Sequence, residues 1–187
     1  MKIRLAADIQ PDSIVDGLGI RTVIWTQGCS HNCKGCHNPS THDFNDGFII
    51  DVEELKDEIS QLESQDGITF SGGDPMFQAE ACCEVAKFIK DLGMNVWCYT
   101  GFTFEELLDM SINNKFIMNF LNNIDILVDG KFEMSKRSYD LKFRGSSNQR
   151  IIDVKKSLLF GQVEILSLDD DYDISSKFNF EECGVFV

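Results

Sequence analysis

The stretch IRTVIWTQGCSHNCKGCHNPS, residues 20–40, joins two unlike signals. Residues 20–26 are rich in β-branched and aromatic side chains, the composition of a short strand. Directly after them come Cys29, Cys33 and Cys36, spaced C-x3-C-x2-C. Thiols this close in sequence can reach one metal centre. Three of them leave one position of a four-ligand site to be filled from elsewhere or left open.

Working outward, the chain has 187 residues, 43% of them hydrophobic. That is enough for one domain with a core and too little for two large ones, so residues 1–187 read as a single domain. Acidic residues number 31 against 17 basic, for a net charge of −14. A surface for nucleic acid or anionic lipid needs clustered Lys and Arg, so neither is an expected partner. The first residues carry charges and lack the apolar stretch of a secretory signal. No run approaches the ~18 apolar residues of a membrane span. A cytoplasmic protein is expected, and its seven cysteines, an odd count, do not read as a disulfide framework.

Asp51 and Glu54 read as a capping pair for a helix whose apolar face is Val52, Leu55, Ile59 and Leu62. Residues 67–70 (GITF) read as a strand that breaks at SGGDP, residues 71–75. A helix follows over 78–92, with Ala81, Val85, Phe88, Ile89 and Leu92 inward and Gly93 as its stop. Cys82 and Cys83 fall among its apolar residues and read as core, as does Cys98 in the strand expected over 95–99. After the turn Thr100-Gly101, Thr103 and Glu106 form a capping box. Residues 116–121 read as helix, and residues 124–128 as a strand ending in Asp129-Gly130-Lys131. A last strand is expected over 163–166, a solvated loop over 169–173, and an edge strand or docking tail over 178–187 (FNFEECGVFV).

Strands alternating with helices imply an α/β fold with a mainly parallel sheet. A complete eightfold barrel takes about 250 residues, so a partial barrel or a small open doubly wound sheet fits better. In either, sites gather at the carboxyl ends of the strands. The cysteine loop, SGGDP, Thr100-Gly101 and Asp129-Gly130-Lys131 all follow expected strands, which places them around one pocket.

Three centres suit the thiols. One is zinc, closed by His31, His37 or His42. Another is an electron-carrying cluster with a fourth cysteine. The third is a 4Fe-4S cluster on three cysteines with one iron open to a chelating ligand, such as an amino acid's amine and carboxylate. The third asks for backbone acceptors nearby, and SGGDP offers two residues without side chains, Gly72 and Gly73.

The cysteine spacing, followed by a strand ending in Gly-Gly-acid-Pro, resembles the radical S-adenosylmethionine superfamily. Five more segments narrow the resemblance: DSIVDGLGIR (12–21), SGGDPM (71–76), WCYTGFTFEEL (97–107), IDILVDGKF (124–132) and FRGSSNQRIIDV (143–154). Together they are similar to the activators of anaerobic ribonucleoside-triphosphate reductase. Two positions depart from the pattern: Leu18 stands where proline is frequent, and His37 where an aromatic commonly follows the third cysteine.

The resemblance implies a partial (β/α)6-type barrel, the radical SAM fold, and an oxidoreductase. Cys29, Cys33 and Cys36 would hold a 4Fe-4S cluster whose open iron binds S-adenosyl-L-methionine. Gly35, Cys36 and His37 would contact its adenine. Gly72 and Gly73 would meet the methionine amine, with Asp74 shaping the turn. Asp129, Gly130 and Lys131 would contact its carboxylate or ribose, and Lys131 offers a compact positive charge. Arg144 and residues 146–150 would meet cofactor or partner. The implied partners are the large subunit of the reductase, which gains a glycyl radical, an electron donor such as reduced flavodoxin, and a second copy in a homodimer. Activation of another glycyl-radical enzyme, such as pyruvate formate-lyase, is the nearest alternative. A metal-binding adaptor without catalysis is the alternative from outside enzymology.

Overall fold

The computed structural model of the chain describes residues 1–168. The loop expected over 169–173, the tail over 178–187 and Cys183 lie outside the described residues. Among the described residues, eight strands form one sheet: β1 (Lys2–Leu5), β2 (Gln10–Ser13), β3 (Arg21–Thr26), β4 (Phe48–Asp51), β5 (Gly67–Gly72), β6 (Asn95–Tyr99), β7 (Ile126–Asp129) and β8 (Arg150–Asp153). Five helices accompany them: α1 (Val52–Ser60), α2 (Ala79–Asp91), α3 (Phe104–Ser111), α4 (Lys115–Leu121) and α5 (Val154–Phe160).

The strand order is β4-β1-β3-β5-β6-β7-β8, with β2 pairing β3 off this path. At the centre, β3, β5, β6 and β7 run parallel. They are the expected strands, and their apolar side chains Ile24, Ile68, Phe70, Val96 and Leu127 are fully buried. Parallel strands need cover on both faces, which explains their near-continuous apolar sequence. On one face they pack against α1, α2, α3 and α4 in the main core, where Cys82, Cys83 and Cys98 lie as expected. On the other, Trp97, Ile126, Val128, Ile151 and Leu168 make a smaller cluster.

The expectation of a mainly parallel sheet holds at the centre and in overall direction, since β4 also points the same way as these four. It fails at the margins, where β1, β2 and β8 are antiparallel to their neighbours. Antiparallel partners need no helical crossover, so short strands can be added at either edge with little sequence. The last expected strand shrinks to a single bridge, Ile165 to Ile152.

The capping pattern at Thr103 and Glu106 forms both reciprocal bonds, at 3.2 and 2.7 Å. The one read at Asp51 forms no side-chain cap bond. There the first helical N–H, that of Val52, donates instead to the Met1 carbonyl at 2.9 Å, because β4 runs directly into α1 beside β1. The contact beside β1 thus satisfies the first amide of the helix without a side chain.

Arg21, at the amino end of β3, is fully buried. Its guanidinium donates to Thr69 Oγ1 and Asn95 Oδ1 at 2.7 Å and to the Ile68 carbonyl at 2.8 Å. It also lies 5.3 Å from the centre of the Trp97 ring. Burial lowers its pKa to about 10. Thr69 Oγ1 donates onward to the Asp16 carbonyl at 2.7 Å and Arg21 itself to the Leu18 carbonyl at 3.1 Å, so this cation ties the DGLGIR segment to β5. Among the described residues, no helix is long and apolar enough to cross a membrane.

Candidate active site

The carboxyl ends of β3, β5, β6 and β7 do converge. One cavity of about 570 Å³ is lined by Cys29, Cys33, Cys36, Gly72, Gly73 and Gly130, among others. The loop after β3 is anchored at its base, where Gly28 N–H donates to the Thr41 carbonyl and Cys29 N–H to His42. Asn32 takes the left-handed conformation, φ 50, between the first two cysteines. The Cys36 N–H closes a turn onto the Cys33 carbonyl at 3.1 Å, and Asn38 N–H points at Cys36 Sγ from 3.4 Å. Burial pushes the Cys29 thiol up to about 11 and the Cys33 thiol up as well, with Lys131 near enough to oppose the second rise. Thiols in such surroundings ionise readily only when a metal replaces the proton.

The donor set fits an iron–sulfur cluster. Three thiols face one cavity, while Cys82, Cys83 and Cys98 are buried in the core and line none of it. No three His, Cys, Asp or Glu side chains among the described residues surround a single ion. A cubane, with each thiolate on a different iron, does not require that arrangement. All three histidines line the cavity, but His31 is turned to Asp74 and the His37 ring lies 4.8 Å from that of Phe132.

The two glycines of SGGDP are there for a reason that the sequence did not show. A Cβ on Gly72 would sit 2.7 Å from the Thr26 carbonyl oxygen, and one on Gly73 would sit 2.5 Å from that of Gly28. The turn is pressed against the chain's own cysteine loop, and Gly73 N–H and Asp74 N–H donate to those two carbonyls. Asp74 lines the cavity yet is 1% exposed. Its carboxylate accepts from Met76 N–H, Gly101 N–H and the Thr100 hydroxyl at 2.9–3.0 Å, and faces His31 Nε2 at 2.7 Å.

The turn after β7 is built differently. Gly130 lines the cavity; Asp129 and Lys131 do not. The Asp129 carboxylate is bound by the Arg150 guanidinium, which the β7–β8 register sets directly opposite, and accepts from Phe104 N–H at 2.8 Å. Arg150 reaches on to both oxygens of Glu105, at 3.0 and 2.7 Å. Gly35 also lies outside the lining, in a left-handed conformation, φ 77, where a Cβ would strike Met134 Cε.

The run 146–150 acts as a clasp on this turn. Gln149 donates to the Gly130 carbonyl and Asn148 to that of Lys131. Gln149 Oε1 accepts from Gly145 and Ser146 N–H, and Ser146 Oγ accepts from Glu133 N–H. Arg144 lines the cavity beside it. Tyr99 and Phe132 also line it, and neither was singled out from the sequence. Tyr99 ends a strand whose carboxyl end faces the site, which is the signal that could have found it.

A family model described as a 4Fe-4S single cluster domain matches residues 15–152. Proteins named anaerobic ribonucleoside-triphosphate reductase-activating protein match most of the chain. The one from Enterobacteria phage T4 is 31% identical over 149 residues, covering 76% of this chain and 90% of the relative. That of Vibrio cholerae is 35% identical over 150 residues, covering 75% and 92%. That of Escherichia coli K12 is 34% identical over 150 residues, covering 74% and 92%. The chain belongs to this family of activating proteins. The residues matched to the cluster domain include the cysteine loop, both aspartate turns and the clasp, and end within β8. Among solved structures, QueE from Escherichia coli is similar over 55% of this chain and 54% of its own, with a TM-score of 0.46 at 14% identity.

Proposed function

We propose that this chain activates an anaerobic ribonucleoside-triphosphate reductase by radical chemistry. Cys29, Cys33 and Cys36 hold a 4Fe-4S cluster, and S-adenosyl-L-methionine occupies the rest of the cavity. The observation that carries this is the donor set: three thiols on one cavity, with no further cysteine lining it among the described residues. When bound, the cluster would supply one electron for reductive cleavage of the cofactor's sulfonium, giving methionine and the oxidising equivalent that would leave a glycyl radical on the reductase's large subunit. The chain belongs in this reading to the partial (β/α)6-barrel enzymes.

The protein's own work is binding, orientation and protection. Gly72 and Gly73 present carbonyl acceptors to the methionine amine from a turn that two backbone hydrogen bonds tie to the end of β3 and the cysteine loop. His37, at the cavity wall, and the main chain of Cys36 meet the adenine, with Gly35 setting the loop's path. Gly130 meets the carboxylate or ribose, while Asp129 fixes the turn from behind and Lys131 keeps positive charge near Cys33. The electron comes from a donor such as reduced flavodoxin, the setting is the cytoplasm, and a homodimer is the working assembly.

The test is anaerobic. The protein is reconstituted with iron and sulfide, reduced, and examined by EPR with and without S-adenosylmethionine. A reduced-cluster signal that changes on adding the cofactor is expected, followed by a glycyl-radical doublet when the reductase is added. A signal indifferent to the cofactor would mean that a protein ligand closes the cluster. A doublet on a formate-lyase-type partner alone would rule out the assigned partner.

A further inference from the structure

We infer that Asp74 and His31 are positioning residues: their contact locks the cysteine loop to the turns after β5 and β6, and so sets where the thiols stand. This rests on the reading of Cys29, Cys33 and Cys36 as cluster ligands. His31 is the middle residue between Cys29 and Cys33. Its side chain is only 6% exposed and lies at the cavity wall, turned to the Asp74 carboxylate. It packs edge-on to Phe102, with ring centres 4.5 Å apart, and lies 5.9 Å from Phe77. Gly101 passes so close that a Cβ there would sit 2.4 Å from the imidazole.

The polar end of this plug is Asp74. Nε2 of His31 meets one carboxylate oxygen of Asp74 at 2.7 Å. The same carboxylate takes the Gly101 N–H and the Thr100 hydroxyl from the turn after β6, and Met76 N–H from its own. Three strand ends therefore meet at two oxygen atoms. A side chain saturated in this way has no acceptor capacity aimed at a ligand, so Asp74 acts on the cluster through His31 and the loop.

Outer partners that orient metal ligands affect metal retention, and their loss lowers affinity by about 10–100-fold. The experiment follows the holo-protein under anaerobic challenge with excess EDTA, reading loss of the cluster's visible absorbance, together with the EPR of the reduced cluster. Asp74→Ala and His31→Ala should each speed cluster loss by about tenfold and alter the EPR line shape. The double variant should be no worse than either, because both remove one link. His31→Gln, which keeps an N–H donor near that position, should recover most of the lifetime. Circular dichroism of each apo-protein checks folding. Should Asp74→Ala not fold, His31→Ala against His31→Gln reads the same link from the other side.

Additive effects in the double variant would overturn the inference. So would an Asp74→Ala protein with a wild-type cluster lifetime and line shape but no response to S-adenosylmethionine, the mark of direct cofactor contact. Cys33→Ala separates the two levels. If it keeps a full cluster, the ligand assignment itself fails; if it loses the cluster while both Asp74 and His31 variants behave as wild type, only this inference fails.

Discussion

Two turns at the ends of parallel strands, SGGDP after β5 and DGK after β7, each hold an aspartate that is 1% exposed. Asp129 is matched by a formal cation, Arg150, and by the first N–H of α3, where a helix start also favours negative charge. Among the described residues, a hydroxyl, two N–H groups and an imidazole surround Asp74 in place of a Lys or Arg. A buried carboxylate survives either way, provided its lone pairs are filled. The placement of the partners decides the role. Those of Asp129 belong to a helix and an edge strand, so it holds the fold together. Those of Asp74 belong to loops that wall the cavity, so it holds the site together.

The comparison is sharpened most by removing function without removing fold. Cys33→Ala should lose the cluster and all activity, because two thiolates do not retain it. The variant's apo-protein should unfold within about 0.5 kcal/mol of wild type, since Cys33 is only half-buried in a surface loop. Cys83→Ala is the reverse control: full iron content and a loss of about 1 kcal/mol from the core. Iron and sulfide analysis with urea unfolding checks both. A Cys33→Ala protein that keeps its iron would break the assignment.

Asp129→Ala should do what no cavity variant does. It leaves the Phe104 N–H without its acceptor and Arg150 with Glu105 alone, at a cost of about 2–4 kcal/mol in chemical unfolding. Whatever fraction stays folded should load its cluster normally. Loss of the cluster from folded protein would put Asp129 on the same footing as Asp74.

The smallest effect is on pH dependence. Hydrogen bonds from Arg150 hold Glu105 down from its ordinary 4.5 to about 2. The unfolded chain therefore binds the extra proton first, and the stability Glu105 adds is present above pH 4.5 and lost as pH falls towards about 2. Its side chain is 58% exposed, so screening keeps the contribution under about 1 kcal/mol. Glu105→Gln should flatten the acid limb of the apo-protein's unfolding midpoint across that window. An unchanged slope would mean that Arg150 serves Asp129 alone.

Much of this was legible in the sequence. The four central strands, the cysteine loop, the convergence of four strand ends and the core cysteines follow from local composition and from the rule that sites collect at carboxyl ends. The added strands did not announce themselves: β2 is QPDS, with a proline and no apolar run, and β8 is four residues defined by its register with β7. The division of labour between the aspartates was equally hidden. His31 is 43 residues from Asp74 and Arg150 is 21 from Asp129, and only strand pairing brings either pair together. The packing reason for Gly72 and Gly73 was hidden too: a Cβ on either would meet Thr26 or Gly28.

The meeting of three strand ends at one carboxylate also limits how portable the site is. A segment spanning residues 28–38, transplanted into another protein, would bring the thiols and leave Asp74, Thr100 and Gly101 behind. Engineers seeking a minimal scaffold for the cluster would have to move β3, β5 and β6 together, in the register that sets Thr26 beside Gly72 and Phe70 beside Cys98. The transferable unit is three adjacent strands with their loops, and the cysteine motif is only its most visible part.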